Sequence, residues 1–297
     1  MRPEKDGFTM VELLTVLAII AILVGILIPT ISYVRNSAGE AKQKVQFAAI
    51  DMALMAFKGD TGDYPQSDNA AGDYCGAQKL AEALLGWDLL GFHPKSAWRS
   101  DGLDKNGGNG SYDPAKTRDI DGDGIPDTLN ERVGPYLELG TANAFKLNQL
   151  FPNPPTTALN PNTYVLCDSF GAKHVTITSA TGESRTVKAG RPILYYKANT
   201  NSKNFTYSDY VSQPTRGLIY YYTDNTDLIK LKMDSEKSND VVGTPAGICL
   251  YWPAYKLVDP KVSIAPGKFW PYRPDSYILI SAGVDGLYGT QDDICNF

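Results

Sequence analysis

Gly7-Phe8-Thr9-Met10-Val11-Glu12 leads into a run, Leu13 to Val34, that contains no charged residue. At about 1.5 Å of rise per residue those positions make roughly 33 Å of helix, enough to cross the hydrocarbon core of a bilayer. Glu12 stands at the edge of the run, where an unpaired carboxylate is costly in hydrocarbon. It is therefore the first functional candidate, and it needs a cation. Ahead of it, Met1 to Gly7 carries Arg2, Glu4, Lys5 and Asp6 and reads as a charged leader that stays in the cytoplasm. A secretory signal peptide places its small-residue cleavage site after the apolar stretch. Ile28-Pro29-Thr30-Ile31-Ser32-Tyr33 has no such pattern, whereas Gly7 lies before the stretch.

Gly7, Phe8 and Glu12 in this arrangement resemble the class III signal of type IV pilins and type II secretion pseudopilins. The resemblance implies cleavage after Gly7 by a prepilin peptidase, N-methylation of Phe8 and polymerisation of the mature chain. Cleavage would leave a positive amine on Phe8, and stacked helices would bring it to Glu12 of a neighbouring subunit. Pairing the two repays much of their desolvation and fixes the axial register, while a missing partner is heavily penalised. The expected partners are copies of the chain itself, other pseudopilins, a prepilin peptidase, and an inner-membrane assembly platform with its ATPase. The expected location is the inner membrane, single-pass, with a periplasmic C-terminal domain that is extracted into a filament.

The helix is expected to continue beyond the membrane. Val34, Ala38, Ala41, Val45, Ala48, Met52 and Met55 recur at spacings of three and four, which predicts one apolar stripe packed on a globular domain. Arg35, Glu40, Lys42, Lys44 and Gln46 fall largely off it. Gly25 and Pro29 interrupt the first half, and proline removes one backbone bond and kinks or locally melts a helix. A stop is expected near Lys58-Gly59-Asp60. The divisions are a leader at 1–7, a transmembrane polymerisation helix at 8–34, its amphipathic continuation at 35–58 and a globular domain at 59–297.

A domain of that size can bury one substantial core. The net charge of −5 gives no electrostatic case for nucleic acid. Four cysteines, Cys75, Cys167, Cys249 and Cys295, lie on the exported side, where disulfides persist. Two disulfides are expected, with buried free thiols as the alternative, and the sequence does not choose among the three pairings. His93 and His174 have no zinc-finger spacing. A helix is predicted over Gln78–Leu90, with Leu80, Ala83, Leu84 and Leu90 inward, and a loop over Ser100–Asp127. Strands are predicted at Thr163–Cys167, Val175–Thr178, Ile193–Lys197, Leu218–Thr223, Ile248–Trp252 and Tyr277–Ser281, where β-branched and aromatic residues run between turn formers. The fold class is α+β: a long N-terminal helix on an antiparallel sheet, with a loop-rich insertion and a C-terminal calcium-type loop.

Two aspartate clusters carry the remaining chemistry. Asp119, Asp121, Asp123 and Asp127, with Gly124 and the Ile125 carbonyl, match the oxygen spacing of an EF-hand loop. Its twelfth position is Asn130, not glutamate, with Glu131 one residue later, and Pro126 argues against a helix–loop–helix. The run looks more like the loops of dockerin or thrombospondin type 3 repeats; the alternative is a solvated loop of Asx turns. The second cluster, Ile280 to Ile294, is glycine-rich and holds Asp285, Asp292 and Asp293. It resembles the C-terminal calcium loop of major type II secretion pseudopilins, as Lys58 to Pro65 resembles their post-helix segment. That resemblance implies Ca2+ held by Asp285 and Asp292, with Asp293 and Ser281 as weaker ligands; the alternative is an acidic turn. At 297 residues the chain is about twice a typical major pseudopilin in length, which leaves open a minor, tip-located subunit. No nucleophile elbow, P-loop or His-Glu-x-x-His is present, so no enzyme is expected. The competing class is a surface pilin for adhesion, motility or DNA uptake.

Overall fold

In the computed structural model the described residues are 9–103, 112, 127–151, 159–171, 173–178, 182–202, 205–206, 219–231, 258–265, 268–290 and 292–297. Helix α1, Met10–Thr61, begins at a capping box. Thr9 Oγ1 accepts the Glu12 amide (3.2 Å), and the Glu12 carboxylate accepts the Thr9 amide (2.9 Å). Two of the orphan donors at a helix start are thereby satisfied. Gly62, in the left-handed region at φ 90°, ends the helix with its N–H on Lys58 O. Gly25 and Pro29 do not interrupt α1; it runs unbroken through both. Thr30 Oγ1 adds a hydrogen bond to Ile26 O (2.5 Å) on the turn beside the proline.

The packed face of α1 differs from the expected stripe. Val45, Met52 and Met55 are exposed, Val45 by 69%. Gln43, Gln46, Phe47, Ile50, Ala53, Leu54 and Phe57 are buried instead. Both sets recur at helical spacing. The one with the larger side chains removes more apolar area from water, at about 25 cal/mol per Å2, and so wins the core.

Helix α2, Gly76–Leu85, is buried along its whole length. It stops at Leu85 because Gly86, at φ 89°, caps it with a bond to Glu82 O. Leu80, Ala83 and Leu84 face the core as expected, but Leu90 lies beyond the helix and is 58% exposed. Single helical turns follow at α3 (Asp127–Asn130), α4 (Leu139–Ala142) and α5 (Leu147–Leu150).

The expected antiparallel sheet is realised as several small ones. β1 (Ala144–Lys146) pairs β2 (Tyr164–Leu166), and β3 (Lys173–Thr178) pairs β4 (Ser184–Ala189). β5 (Leu194–Lys197) pairs β9 (Tyr277–Ser281), which pairs β10 (Ile294–Cys295). β6 (Phe205–Thr206) and β7 (Val258–Ala265) flank β8 (Lys268–Pro271). Every pairing is antiparallel.

The β5–β9 pair divides two cores. Tyr195, Tyr277 and Leu279 pack with Phe47, Ile50, Leu54, Phe57, Leu80 and Leu84. Leu194, Tyr196, Ile278 and Ile280 join the opposite cluster with Leu150, Val165, Ile219 and Tyr220. Successive strand residues point to opposite faces, so one apolar strand serves both cores.

The strand expected at Leu218–Thr223 is absent over the described Ile219–Thr223. Tyr222–Asp224 forms a 3-10 turn, followed by α6 (Thr226–Ile229). Asn225 holds that turn in place: its side chain accepts from Ala77 N–H (2.8 Å) and donates to Tyr195 O (2.8 Å). Side-chain bonds of this kind compete with a ladder. Ile248–Trp252 and Cys249 lie outside the described residues. Two disulfides do not form, because Cys75 and Cys167 are buried thiols. Burial pushes Cys75 up to about 12 and Cys167 well above the usual thiol range, so both behave as small apolar side chains.

Candidate assembly helix and C-terminal loop

Three features place the candidate functional groups: the bare half of α1, the contact of its other half with the domain, and the C-terminal loop. Along the bare half, the large apolar residues from Met10 to Val34 are exposed. Among the described residues α1 is the one helix long and apolar enough to cross a membrane. In water such a surface is intolerable, so it belongs in lipid or against other helices. Glu12 lies at its start, and its carboxylate also accepts Thr9 Oγ1 (2.8 Å). Gly7 and Phe8 lie outside the described residues. The capping role of Glu12 was missed, although Thr9-x-x-Glu12 before an apolar run is its signature.

The contact half of α1 is held by polar groups that hydrophobic spacing does not reveal. Gln46 Nε2 donates to Cys167 O (2.9 Å) and Thr141 O (3.1 Å), and Gln43 Oε1 accepts from Ser169 N–H (2.8 Å). Further along, Asp51 accepts from Tyr277 Oη (2.6 Å) and Asn296 Nδ2 (3.1 Å), with Arg273 at 3.5 Å. Bonds to a carboxylate are roughly twice as strong as neutral ones, so Asp51 ties β9 and the chain's end to α1.

The C-terminal loop follows β9. Asp285 N–H donates to Asp292 Oδ2 (2.8 Å), Leu287 N–H to Asp285 Oδ1 (2.7 Å) and Thr290 Oγ1 to Asp292 Oδ1 (2.5 Å). Asp293 Oδ2 accepts Gly289 N–H (2.8 Å). Ser281 Oγ is turned inward, donating to Asp168 Oδ2 (3.0 Å). Among the described residues no three His, Cys, Asp or Glu side chains converge as a metal-holding group. The donor chemistry nevertheless suits a hard cation at Asp285 and Asp292. Desolvation first, and then the charge of Asp292, raise the Asp285 carboxyl, whereas hydrogen bonds from Thr290 and the Asp285 amide lower Asp292. The ionised form is thus disfavoured at Asp285 and favoured at Asp292.

In the other cluster, Asp119, Asp121, Asp123 and Ile125 lie outside the described residues. Asp127 starts α3, and nearby Glu131 is paired with Lys95 (3.2 Å) and with His93 Nε2 (3.2 Å).

Two comparisons with known proteins bear on the chain, one of them at its N-terminal end. Residues 2–28 match the family described as the prokaryotic N-terminal methylation motif. The chain is 43% identical over 53 residues to "Prepilin peptidase-dependent protein A" of Clostridium perfringens (strain 13 / Type A). That match covers 18% of this chain and 38% of the relative. No solved structure matches the chain. Taken with the bare helix, the matches support a type IV pilin-like N-terminal end. The apolar α1 and the methylation motif fit a membrane-anchored protein.

Proposed function

We propose that the chain is a pseudopilin, a structural subunit of a type II secretion pseudopilus. One observation supports this most: an exposed apolar rod, Met10 to Val34, that begins within a methylation motif over residues 2–28 and whose single acid is Glu12. A prepilin peptidase cleaves after Gly7, the new Phe8 amine is methylated, and the mature chain sits in the inner membrane with its domain in the periplasm. Assembly onto a platform protein, driven by its ATPase, packs α1 of successive copies side by side, with Glu12 facing the Phe8 amine of a neighbour. Copies of the chain and other pseudopilins share the filament, which promotes export across the outer membrane. Asp285 and Asp292 hold Ca2+ in the C-terminal loop, where the cation acts structurally. The Asp119–Asp127 run is a second candidate calcium loop.

A surface pilus for adhesion, motility or DNA uptake is the alternative reading. The likeness of the C-terminal loop to that of secretion pseudopilins favours export. A deletion strain separates the two. Loss of secreted proteins from the medium with normal twitching and attachment supports the pseudopilin; the reverse pattern overturns it.

A further inference from the structure

One short stretch, Cys167–Phe170, meets α1 on one side and the base of the C-terminal loop on the other. Toward α1, Cys167 O accepts from Gln46, Ser169 N–H donates to Gln43, and Ser169 Oγ donates to Gly39 O (3.1 Å). Phe170 lies so close that a Cβ on Gly39 would come within 2.6 Å of its ring. Toward the loop, Asp168 accepts from Ser281 Oγ (3.0 Å) at the end of β9 and from Arg191 N–H (3.1 Å), and Asp168 N–H donates to Arg191 O (2.8 Å). Gly283 N–H reaches back to Ser281 Oγ (3.3 Å), and the Arg191 side chain passes beneath Gly286. Gln43, Cys167, Asp168, Arg191 and Ser281 are all buried.

The stretch has little freedom to adapt. Gly190 could not carry a Cβ, because the Asp168 carboxylate and carbonyl occupy that space. At Gly283, φ is +64° and a Cβ would meet Asp292 O. A displaced loop therefore moves Ser281, Ser281 moves Asp168, and Asp168 moves the groups that grip α1. Contiguous, close-packed hydrogen-bonded chains of this kind carry coupling between sites.

We infer that Cys167–Phe170 is a joint through which the order of the C-terminal loop sets how firmly the domain holds α1 between Gly39 and Gln46. Asp168 and Ser281 are its positioning residues. The device does not depend on whether the filament serves secretion or a surface pilus, or on a metal in the loop.

Hydrogen exchange of the full chain in detergent with chelator present tests it, read at residues 39–50 of α1 against α2 as the reference. Asp292→Ala should raise exchange at 39–50 by roughly fivefold while α2 stays within about twofold, since local opening need not be global. In a chain that already carries Asp168→Asn and Ser281→Ala, the same substitution should add nothing at 39–50. Coupling is reciprocal, so Ser169→Ala, which touches α1 alone, should raise exchange in 283–290. The joint is overturned by no rise at 39–50, by an equal rise in both backgrounds, by an equal rise in α2, or by a Ser169→Ala loop that exchanges as before.

Discussion

At the residue scale, Glu12 has two separable jobs. Its carboxylate closes a capping box with Thr9, and its charge is the proposed partner of a neighbour's amine. Glu12→Gln keeps an amide oxygen for the cap and removes the charge, whereas Glu12→Ala removes both. Loss of the cap costs about 1 kcal/mol, small beside the packing of a membrane helix. Both variants are therefore expected to fractionate with the membrane at normal levels, and both should give filament yields reduced at least roughly tenfold, since one unmet charge costs more than 1.4 kcal/mol. Normal filaments from Glu12→Gln would show that capping, not charge, is what the residue supplies. Asp224 is the contrasting acid. Desolvation pushes its carboxyl to about 7, against the lowering bond from Ser67 (2.5 Å), with Asp68 and Lys79 the charged groups facing it. A carboxyl raised in the folded state contributes stability that is present below its unfolded value near 4 and is lost as pH rises through about 7. Melting temperature should fall between pH 5 and pH 8, and Asp224→Asn should flatten that slope; an unchanged slope would contradict the assignment.

At the element scale, α1 was legible as a helix but not as to which face it buries. The apolar run, its lack of charge and the turn formers after Lys58 predicted its existence and, within a few residues, its end. Its two long faces are both apolar, so periodicity admitted two solutions. Only the bulk of Phe47, Ile50, Leu54 and Phe57 decides between them, with Gln43 and Gln46 bonding to carbonyls brought in from distant chain. Phe57→Ala should cost about 3–5 kcal/mol by thermal or denaturant unfolding, whereas Met52→Ser, exposed by 66%, should stay within about 0.5 kcal/mol. Equal losses would return the core to the stripe first expected. Strands β5 and β9 were readable because tyrosine, isoleucine and leucine fill both faces. The 3-10 turn at Tyr222 was not, because Asn225 enforces it through bonds to Ala77 and Tyr195, far away in sequence. In the C-terminal loop the acids were legible, but not that Ser281 points inward to Asp168, a contact between residues far apart in the chain.

At the scale of the whole molecule, a domain with two cores and a tied-down C-terminus hangs on a rod whose apolar half is bare among the described residues. Asp51 joins the rod to β9 and to Asn296, and the joint at Cys167–Phe170 joins it to the loop. If the proposed calcium binds at Asp285 and Asp292, it should stabilise the fold as any ligand of the native state does, by about 2.7 kcal/mol at a hundredfold excess over Kd. The melting temperature should rise with calcium and fall back with chelator, and Asp285→Asn with Asp292→Asn should abolish the response. A wild-type protein indifferent to calcium would remove the cation from the loop. That this rod is matured and then packed against copies of itself can be read from the N-terminal mass of the protein purified from native filaments. The expected mass is that of a chain starting at a methylated Phe8; a chain still carrying Met1 to Gly7, found in membranes and never in a fibre, overturns this reading.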